Sequence, residues 1–426
     1  MKGRVTPRMA GISILPGIDH ARWQLLIDWL AVGVAASIPW STSLTEIFVT
    51  LWLVAYLPTL FLPGWEVGEL RRVIAMPAGF LPLLLCVLAA VGMTWAVDVS
   101  WAERLGGFEK FPRFLLIPLL LTHFQRSERG AWVVYGFFFA TLALLAVSWG
   151  LALLPGLPWR GKQYGVPVND YFRQDSCFLV CTFVLLGRAV DEVRARRWRR
   201  GLALVAVAAA FLADIFFVVA SRTALIVAPV LLLVIGWREF RWKGVIGALL
   251  VGAIVGGAVW LSSPYLRDRL TVSVAEWDAY RASDARNSTG LRAEFLRKSW
   301  LFVQSAPLIG HGTGSIPQQF RIAAVGAGAA SSEAPENPHN QLFAIAIQLG
   351  LVGSAVLIAM WAAHLILFRG SGLAALVGFT VVAENFLSSL FNSHLFDTGE
   401  GWLYIFGVGV AGGMVLRARG SAPNPA

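Results

Sequence analysis

An arginine begins one of the apolar runs of this sequence, at a point where an α-helix would disfavour a cation. Arg222 lies in Ser221-Arg222-Thr223-Ala224, directly before that run. Ser221 is a good N-cap residue, so we expect Arg222 in the first helical turn, beside the positive end of the helix dipole. A bound phosphate would satisfy both the guanidinium and the free N–H groups of that turn. The alternative is an arginine that extends to lipid headgroups.

A second arginine, Arg292, stands just after Asn287-Ser288-Thr289-Gly290, which is a good capping and turn sequence. We therefore expect it near the start of a second helix, where an anion would again be favourable. The alternative is a solvated helix face, because Arg297 and Lys298 follow in the same stretch.

His339 lies in Asn337-Pro338-His339-Asn340, directly before another apolar run. With Asn337 as N-cap and Pro338 as the first helical residue, His339 falls in the first turn. A helix N-terminus disfavours imidazolium, so the ring would stay neutral and able to accept a proton near pH 7. A nearby phosphate would act in the opposite direction. The alternative is a polar residue at a membrane boundary.

Further ionisable residues lie inside or near apolar runs, where a charge is costly and is usually functional or paired. They are Asp28, Glu46, Asp214, His364 and Glu384. Asp214 precedes Arg222 by about two helical turns, so the two can share one helix face. His311, between two glycines, is typical of a turn and could also contact a ligand. The sequence holds no Walker loop, no DxD-like metal pair outside the membrane and no dinucleotide fingerprint, so we expect neither metal nor cofactor.

The composition is that of a protein dissolved in lipid. Of the 426 residues, 57% are hydrophobic and 14% are charged, and the mean hydropathy is +0.66. The net charge of +10 comes from short basic clusters between apolar runs, which indicates membrane topology rather than nucleic acid binding. The three cysteines are too few for a disulfide framework, and Cys177 and Cys181 are expected to be small buried hydrophobes. We expect residues 1–426 to form a single integral membrane domain.

Apolar runs of about 20 residues are long enough to cross a membrane as helices. The fourth and eighth runs are short or interrupted by polar groups, so ten or eleven spans is the alternative to twelve. The twelve predicted spans are 23–40, 43–63, 76–97, 108–124, 131–154, 175–190, 201–220, 223–237, 244–262, 341–367, 373–391 and 402–416.

The basic residues give these spans an orientation. With the N-terminus inside, 20 of the 35 Lys and Arg residues fall in cytoplasmic segments, seven in short outer loops and eight in one long outer loop. This asymmetry follows the positive-inside rule, which does not apply to long loops. Both termini are therefore expected in the cytoplasm. The basic segment 1–22 lacks a cleavage site, so we expect the first helix to be retained.

The long outer loop, 263–340, is polar, unlike the rest of the chain. Apolar residues at helical spacing predict two amphipathic helices, at 265–282 and 291–305, that lie on the membrane face. The glycine-rich 310–314 and the Ala/Gly/Ser/Pro-rich 323–338 are typical of hinges and loops. They predict a segment that moves over a site.

Three short motifs in the C-terminal half together resemble the O-antigen ligase and polymerase family, most closely its lipopolysaccharide O-antigen ligases. Each motif is weak alone, but their order, spacing and placement on one side of the membrane are fairly specific. The N-terminal half resembles the family only in hydropathy. The motifs are Ser221-Arg222-Thr223-Ala224, the stretch from Arg292 through Pro307-Leu308-Ile309-Gly310-His311-Gly312, and Pro338-His339-Asn340-Gln341-Leu342 followed by Gln348-Leu349-Gly350-Leu351-Val352-Gly353.

The resemblance implies a GT-C-like helical glycosyltransferase of the bacterial inner membrane, active at the periplasmic face. Such ligases transfer O-antigen polysaccharide from undecaprenyl diphosphate to lipid A-core, with inversion and without metal or nucleotide. His339 would then be the base or the positioning group for the acceptor hydroxyl. Arg222 and Arg292 would bind the diphosphate and stabilise it as the leaving group. Arg267 or Arg269 would assist.

Other functions remain open on the sequence. A polymerase of the same family uses the same donor to extend another lipid-linked glycan. A protein O-oligosaccharyltransferase often carries an additional periplasmic domain, which we do not expect in a chain that ends at Ala426. A transporter of lipid-linked glycans would show paired halves and ionisable groups near the bilayer midplane, and no internal repeat is present. A binding subunit without catalysis is the remaining alternative.

Overall fold

The computed structural model describes residues 19–61, 67–154, 156, 159, 165–168, 171–219 and 221–421. Throughout these residues the regular structure is helical, and none of them forms a β-strand. Short 3-10 turns extend the second helix (Leu57–Phe61) and precede the sixth (Pro112–Leu115), and one π-helical turn (Ile215–Val219) extends the ninth.

The α-helices of the described residues are numbered in chain order. They are α1 (His20–Ser37), α2 (Thr42–Tyr56), α3 (Val67–Ala75), α4 (Pro77–Gly92), α5 (Trp101–Phe108), α6 (Leu116–Arg126), α7 (Gly130–Leu153), α8 (Tyr171–Arg194), α9 (Trp198–Asp214), α10 (Arg222–Phe240), α11 (Trp242–Ser262), α12 (Pro264–Ser283), α13 (Ser288–Ser305), α14 (Ile316–Ala324), α15 (Gln341–Leu367), α16 (Leu373–Ser388) and α17 (Thr398–Gly420).

Each of the twelve predicted spans coincides with a helix, so the all-α polytopic fold class is confirmed. By length and composition, eight helices of the described chain could cross a membrane: α2, α4, α7, α9, α10, α11, α15 and α17, where α2, α4 and α9 include the short turns that follow them. The eighth predicted span, α10, is among them. Of the remaining four, α6 and α16 are shorter than 18 residues, α1 is not apolar enough and α8 contains too many charged residues. The total of twelve spans therefore stays a prediction.

Basic residues of the predicted cytoplasmic segments lie at one end of the helices. Their contacts there are Arg126 Nε to Glu69 Oε2 at 3.5 Å, Arg194 Nη1 to Glu239 Oε2 at 2.7 Å, Arg238 Nη2 to the Gly370 carbonyl at 2.8 Å and Arg419 Nη2 to the Leu367 carbonyl at 2.7 Å. The segment 263–340 lies at the other end, which we call the loop face. The helices thus alternate in direction as the charge pattern predicts.

Glycines on α17 allow this helix to pack closely against α6. A Cβ atom added at Gly413 would lie 2.6 Å from the Cβ of Phe124, and one at Gly409 would lie 2.5 Å from the Cβ of Leu120. Small residues allow helices in a membrane to approach closely, where dispersion contacts drive their association. The C-terminal helix is consequently buried along most of its length.

Buried ionisable groups far from the loop face are paired. Asp28 accepts hydrogen bonds from Ser127 Oγ at 2.8 Å and Arg129 Nη1 at 3.2 Å, and its Oδ1 lies 2.8 Å from His123 Nε2. His364 lies between the Tyr404 hydroxyl and the Ala78 carbonyl. These contacts satisfy polar groups that would otherwise be costly in the bilayer, so both residues have structural roles.

The long loop contains the two predicted helices, as α12 and α13, but they differ in their surroundings. Phe295 and Phe302 of α13 are buried and pack edge-on against Phe320 of α14, with ring centroids 5.7 and 5.1 Å apart. The predicted apolar stripe of α13 therefore packs on protein, whereas Leu296, Trp300 and Leu301 of the same helix are exposed, and the place of α13 on the membrane face stays a prediction. The apolar residues of α12 are exposed, among them Val274 and Trp277. The place of α12 on the membrane face is consistent with this exposure and stays a prediction.

The glycine-rich segment after α13 forms backbone hydrogen bonds with α15 at a point where that helix is broken. Gly350 has φ +63° and ψ −158°, which breaks the helix. The amides of Leu351 and Val352 would ordinarily donate four residues back within the helix. They donate instead to the carbonyls of Pro307 at 2.8 Å and Leu308 at 3.2 Å.

The carbonyls released by this break are satisfied by the same segment. His311 N donates to the Ile347 carbonyl at 2.8 Å, and Gly312 N donates to the Gln348 carbonyl at 2.9 Å. Thr313 N reaches across to the Gly92 carbonyl of α4 at 3.0 Å. We call residues 307–313 the α15 clasp. Residues 310–314 form turns, as the sequence predicts, and the amides of His311, Gly312 and Thr313 are bonded to neighbouring helices, while the predicted movement of this segment stays a prediction.

Gly350 is predicted to be essential for stability. A Cβ atom there would lie 2.3 Å from the carbonyl of Leu308, and the positive φ alone would cost an alanine about 1–3 kcal/mol. We expect Gly350→Ala to lower the thermal midpoint of the detergent-purified protein. Gly252→Ala in α11 is the control, because a Cβ there meets no atom within 4 Å. Equal midpoints for the two variants would contradict the assigned role of the clasp.

Candidate active site

Arg222 is the first residue of α10, on the loop face. The Ser221 hydroxyl caps the helix by accepting a hydrogen bond from Ala224 N at 3.1 Å, as the sequence predicts. Arg222 thus stands at the N-terminus of α10, where the positive end of the helix dipole adds to the local positive charge. The sequence predicts an anion beside Arg222 for this reason, and the structure contains one.

The anion beside Arg222 is a carboxylate of the protein. Glu276 Oε2, from α12, lies 3.4 Å from both terminal nitrogens of Arg222. Arg222 Nη1 also donates to Thr289 Oγ1 of α13 at 3.1 Å. The Arg222 and Glu276 side chains are 26% and 21% exposed, so solvent reaches the pair. Sequence reasoning missed Glu276, because no spacing in the sequence relates it to Arg222.

Glu276 also binds the N-terminus of α13. Its Oε2 accepts hydrogen bonds from Thr289 N at 3.2 Å and from Thr289 Oγ1 at 2.5 Å. Although burial alone would raise the pKa of Glu276, the hydrogen bond from Thr289 and the charge of Arg222 outweigh it and lower that pKa. One carboxylate thus joins α10, α12 and α13.

Arg292 lies one turn further along α13, whose N-cap Asn287 accepts a hydrogen bond from Gly290 N at 2.8 Å. Its side chain is partly buried and close to two other predicted site residues. Burial lowers the pKa of Arg292, and the charge of Arg222 lowers it further. Arg292 in turn acts on His339, as described below. The structure therefore brings Arg222, Arg292 and His339 together in that order.

His339 precedes α15 rather than standing in its first turn. The helix begins at Gln341, and the cap is Asn340, whose side chain accepts from Phe343 N at 3.0 Å. His339 has φ +54°, a left-handed conformation that no helical residue adopts, and its N–H donates to Asn337 Oδ1 at 2.9 Å. The predicted N-cap, Asn337, is therefore wrong, because its side chain forms a local turn with His339.

The imidazole of His339 is held on two sides. Its ring stacks on Phe295 of α13, with centroids 6.0 Å apart and planes 15° from parallel. Its Nδ1 lies 2.9 Å from Asn392 Oδ1. The Asn392 amide is oriented by Asp397, whose Oδ2 accepts from Asn392 Nδ2 at 3.0 Å. Asn392 and Asp397 were missed by sequence reasoning, although both lie in a short polar stretch between two apolar runs.

This arrangement assigns the proton on the neutral ring. Because Asn392 Nδ2 donates to a carboxylate, Asn392 Oδ1 must face His339 and can only accept. His339 Nδ1 therefore carries the hydrogen, and Nε2 carries the lone pair. Burial lowers the pKa of His339, the hydrogen bond to Asn392 opposes this, and the charge of Arg292 lowers the pKa further. The ring is thus neutral at pH 7, with Nε2 able to accept a proton.

Arg267, one of the two arginines that the resemblance gives an assisting role, contacts a helix end instead of this cluster. Arg267 Nη1 donates to the carbonyls of Trp260 and Leu261 and so caps the end of α11. The side chain of Arg269 lies outside the described residues. Its predicted role, like that of Arg267, stays a prediction.

Asp214 does not share a face with Arg222, because the chain turns between α9 and α10. Its carboxylate accepts from Ser148 Oγ at 2.7 Å and from Gln174 Nε2 at 3.3 Å. Asp214 therefore belongs to a buried contact between α7, α8 and α9. His311 is likewise structural, with its Nε2 2.9 Å from the Phe302 carbonyl at the end of α13.

One group of side chains in the described residues has the composition of a metal site. Ligand atoms of His394, Asp397 and Glu400 lie within 4.8 Å of one another. His394 is 1% exposed, and burial lowers its pKa to about 3. Arg113 donates to the Asp397 carbonyl at 3.1 Å, and its positive charge there opposes a bound cation. Both ring nitrogens of His394 are buried without a hydrogen-bond partner among the described residues, so the group is not a hydrogen-bonded network, and we assign it neither a metal nor another role.

A cavity of about 270 Å³, with several polar side chains in its wall, adjoins the turn that carries His339. Asn337 and Pro338 form part of its wall, and Glu103 and Glu109 from the region of α5 line the opposite side. Polar groups of a ligand can therefore approach this turn from the side of α5.

Comparison with known proteins matches residues 207–358 to the O-antigen ligase family model, Wzy_C. No curated protein matches the chain. The matched segment runs from α9 into α15, so it includes Arg222, Glu276, Arg292 and His339 but not Asn392 or Asp397. The three motifs identified in the sequence all fall within it. Residues 207–358 of this multi-pass membrane protein are therefore similar to the O-antigen ligase family.

Proposed function

We propose that the protein is an O-antigen ligase, which transfers O-antigen polysaccharide from undecaprenyl diphosphate to lipid A-core at the periplasmic face of the inner membrane. The observation that carries this proposal is a neutral histidine of fixed tautomer beside two arginines on the loop face. Similarity to the family supports glycosyl transfer with a lipid-linked polysaccharide. Both substrates are anionic lipids, which a site at the membrane boundary can receive laterally.

The two arginines supply the positive charge that a diphosphate leaving group requires. Arg222 and Arg292 are close enough for the charge of one to lower the pKa of the other. Two cations held near each other in a partly buried site are unfavourable unless an anion is placed between them. Charge develops on the diphosphate as its bond to the sugar breaks, so these guanidiniums act most strongly in the transition state.

His339 acts on the acceptor. Its Nε2 takes the proton of the acceptor hydroxyl as that oxygen attacks the anomeric carbon of the donor sugar. The bond from the anomeric carbon to the diphosphate oxygen breaks at the same time, and undecaprenyl diphosphate leaves with the electron pair. Attack opposite the leaving group inverts the anomeric carbon. The energy comes from the donor bond itself, so the reaction needs no nucleotide.

The periplasmic placement is supported by charge. The end of the helices opposite the loop face contains the clusters around Arg126, Arg194 and Arg238, which the positive-inside rule assigns to the cytoplasm. Both termini would then be cytoplasmic, and the site on the loop face would open to the periplasm.

An O-antigen polymerase is the second candidate, because the same residues would bind the same donor. It differs only in the acceptor, which would be another lipid-linked glycan. A transporter is less favoured, since the candidate site lies at the loop face rather than among ionisable groups at mid-membrane. A binding subunit would leave the fixed tautomer of His339 without a use.

The deciding experiment combines purified protein, undecaprenyl-diphosphate-linked O-antigen and lipid A-core, without nucleotide and with a chelator. Polysaccharide on the core lipid would support the ligase. Longer lipid-linked chains alone would indicate the polymerase. If neither product forms with verified substrates and folded protein, the transporter and binding-subunit functions become the working hypotheses.

Removal of the base is expected to abolish most transfer without loss of the fold. His339→Ala should lower the turnover rate about 10²- to 10⁴-fold, the usual contribution of a positioned base. It should retain membrane insertion and donor binding. His20→Ala, an exposed histidine at the start of α1, is the matched control. A fully active His339→Ala enzyme would refute the assigned role.

Loss of Arg222 should affect donor binding as well as turnover. Hydrogen bonds to charged groups contribute about 1.5–3 kcal/mol, so Arg222→Ala should raise the donor dissociation constant about 10- to 100-fold. Arg281→Ala, an exposed arginine at the end of α12, should bind the donor normally. Equal affinities for the two variants would exclude Arg222 from the diphosphate site.

Asn392 is expected to position His339 rather than to contact substrate. Asn392→Ala frees the ring to adopt the other tautomer, so we expect kcat to fall at least about 10-fold while the donor KM stays within twofold. Steady-state kinetics at several donor concentrations would separate the two constants. A higher KM with normal kcat would place Asn392 in substrate binding instead.

The pH dependence should reflect the lowered pKa of His339. A base with a lowered pKa stays deprotonated to lower pH, so the acid limb of kcat/KM should fall below pH 6.5, the ordinary value. Arg292→Gln removes a positive neighbour and should move that limb towards higher pH, in addition to weakening donor binding. An acid limb that does not move in this variant would show that Arg292 does not act on His339.

A further inference from the structure

The carboxylate of Glu276 is bound by the kinds of hydrogen-bond donor that bind phosphate groups in proteins. Its Oε2 receives a guanidinium from Arg222, a hydroxyl from Thr289 and a backbone N–H from Thr289 in the first turn of α13. Phosphate oxygens are bound in proteins by the same three kinds of donor. We call these two donor residues, Arg222 and Thr289, the Glu276 subsite.

The contact to Arg222 is weak enough to be exchanged. The two distances of 3.4 Å are longer than the 2.7–2.9 Å typical of a charge-assisted hydrogen bond. Both side chains are partly exposed, at 26% and 21%, so a dissolved or lipid-bound anion can reach them. A partly exposed ion pair contributes little net stability.

Glu276 is attached so that its side chain can leave while its backbone stays. Asn287 Nδ2 donates to the Glu276 carbonyl at 2.8 Å and holds α12 to the cap of α13. This bond does not involve the carboxylate. A phosphate that takes over the bonds from Arg222 and Thr289 can therefore release the carboxylate, while Asn287 keeps α12 attached to α13.

We propose that Glu276 is an internal anion, which occupies the phosphate subsite of Arg222 and Thr289 in the empty protein and is displaced by the diphosphate of the donor. This inference rests on the proposed function. Thr289 is then a donor-binding residue, through both its hydroxyl and its N–H. In the absence of donor, Glu276 neutralises Arg222, so the two arginines do not repel each other unscreened.

Displacement predicts an effect of unusual sign, since removal of the carboxylate that pairs with Arg222 should tighten donor binding. Glu276→Gln keeps a hydrogen-bond acceptor for Thr289 but removes the competing charge. The donor must no longer displace an anion, so its dissociation constant should fall about two- to tenfold. Thr289→Val removes a ligand of both anions and should raise that constant, whereas Thr289→Ser should restore it.

The test measures binding of undecaprenyl diphosphate to the detergent-purified full chain by isothermal titration calorimetry. Wild type, Glu276→Gln and the control Asp278→Asn are compared, since Asp278 is an exposed carboxylate of the same helix. We expect tighter binding for Glu276→Gln alone. Size-exclusion elution of each variant reports its folding, and the two Thr289 variants test the same subsite independently.

Each outcome decides the inference. Unchanged or weaker binding by Glu276→Gln would overturn displacement and make Glu276 a fixed part of the donor site. Normal binding by Thr289→Val would likewise remove Thr289 from the subsite. Absence of binding even by wild type, together with absence of transfer, would overturn the proposed function, and this inference with it. Transfer by wild type with unchanged Glu276→Gln affinity would overturn the inference alone.

Discussion

Every backbone N–H and C=O within a bilayer must be paired inside the protein, and this constraint fixes the candidate site. α15 breaks at Gly350, and the four backbone groups released there are paired by residues 307–313. The end of α13 is thereby attached to the middle of α15. Because α13 carries Arg292 and Phe295, and His339 precedes α15, this attachment sets the position of the arginine relative to the histidine. The clasp contacts no substrate in the proposed mechanism, yet the geometry of the site depends on it.

Electrostatics shapes the site once these helices are in place. Arg222 and Arg292 repel each other, and Arg292 disfavours a proton on His339. The same positive charge therefore serves two purposes in the proposed reaction. It attracts the diphosphate of the donor, and it keeps the base unprotonated before the donor binds. In the empty protein, Glu276 offsets the positive charge of Arg222, which is the first residue of α10.

A second layer of polar residues fixes the orientation of His339. Asp397 orients Asn392, and Asn392 selects the tautomer with its lone pair on Nε2. The stacking of His339 on Phe295 prevents free rotation of the ring. These residues come from α13, from the turn before α15 and from the loop between α16 and α17. A single proton acceptor thus depends on three separate parts of the chain.

The sequence by itself determined the membrane class, the positions of the helices, the polar loop and three residues of the candidate site. Those features follow from local physics: hydropathy over about 20 residues, capping preferences such as that of Ser221, and charge between spans. Even local inference failed at His339, because a side-chain turn from Asn337 competed with the helix start. Only the tertiary structure decided that Glu276 pairs with Arg222, that Asn392 contacts His339 and that residues 307–313 are hydrogen-bonded to α15 and α4. Each of these contacts joins residues from different helices or loops, and hydrogen bonds between distant segments leave no periodicity in the sequence.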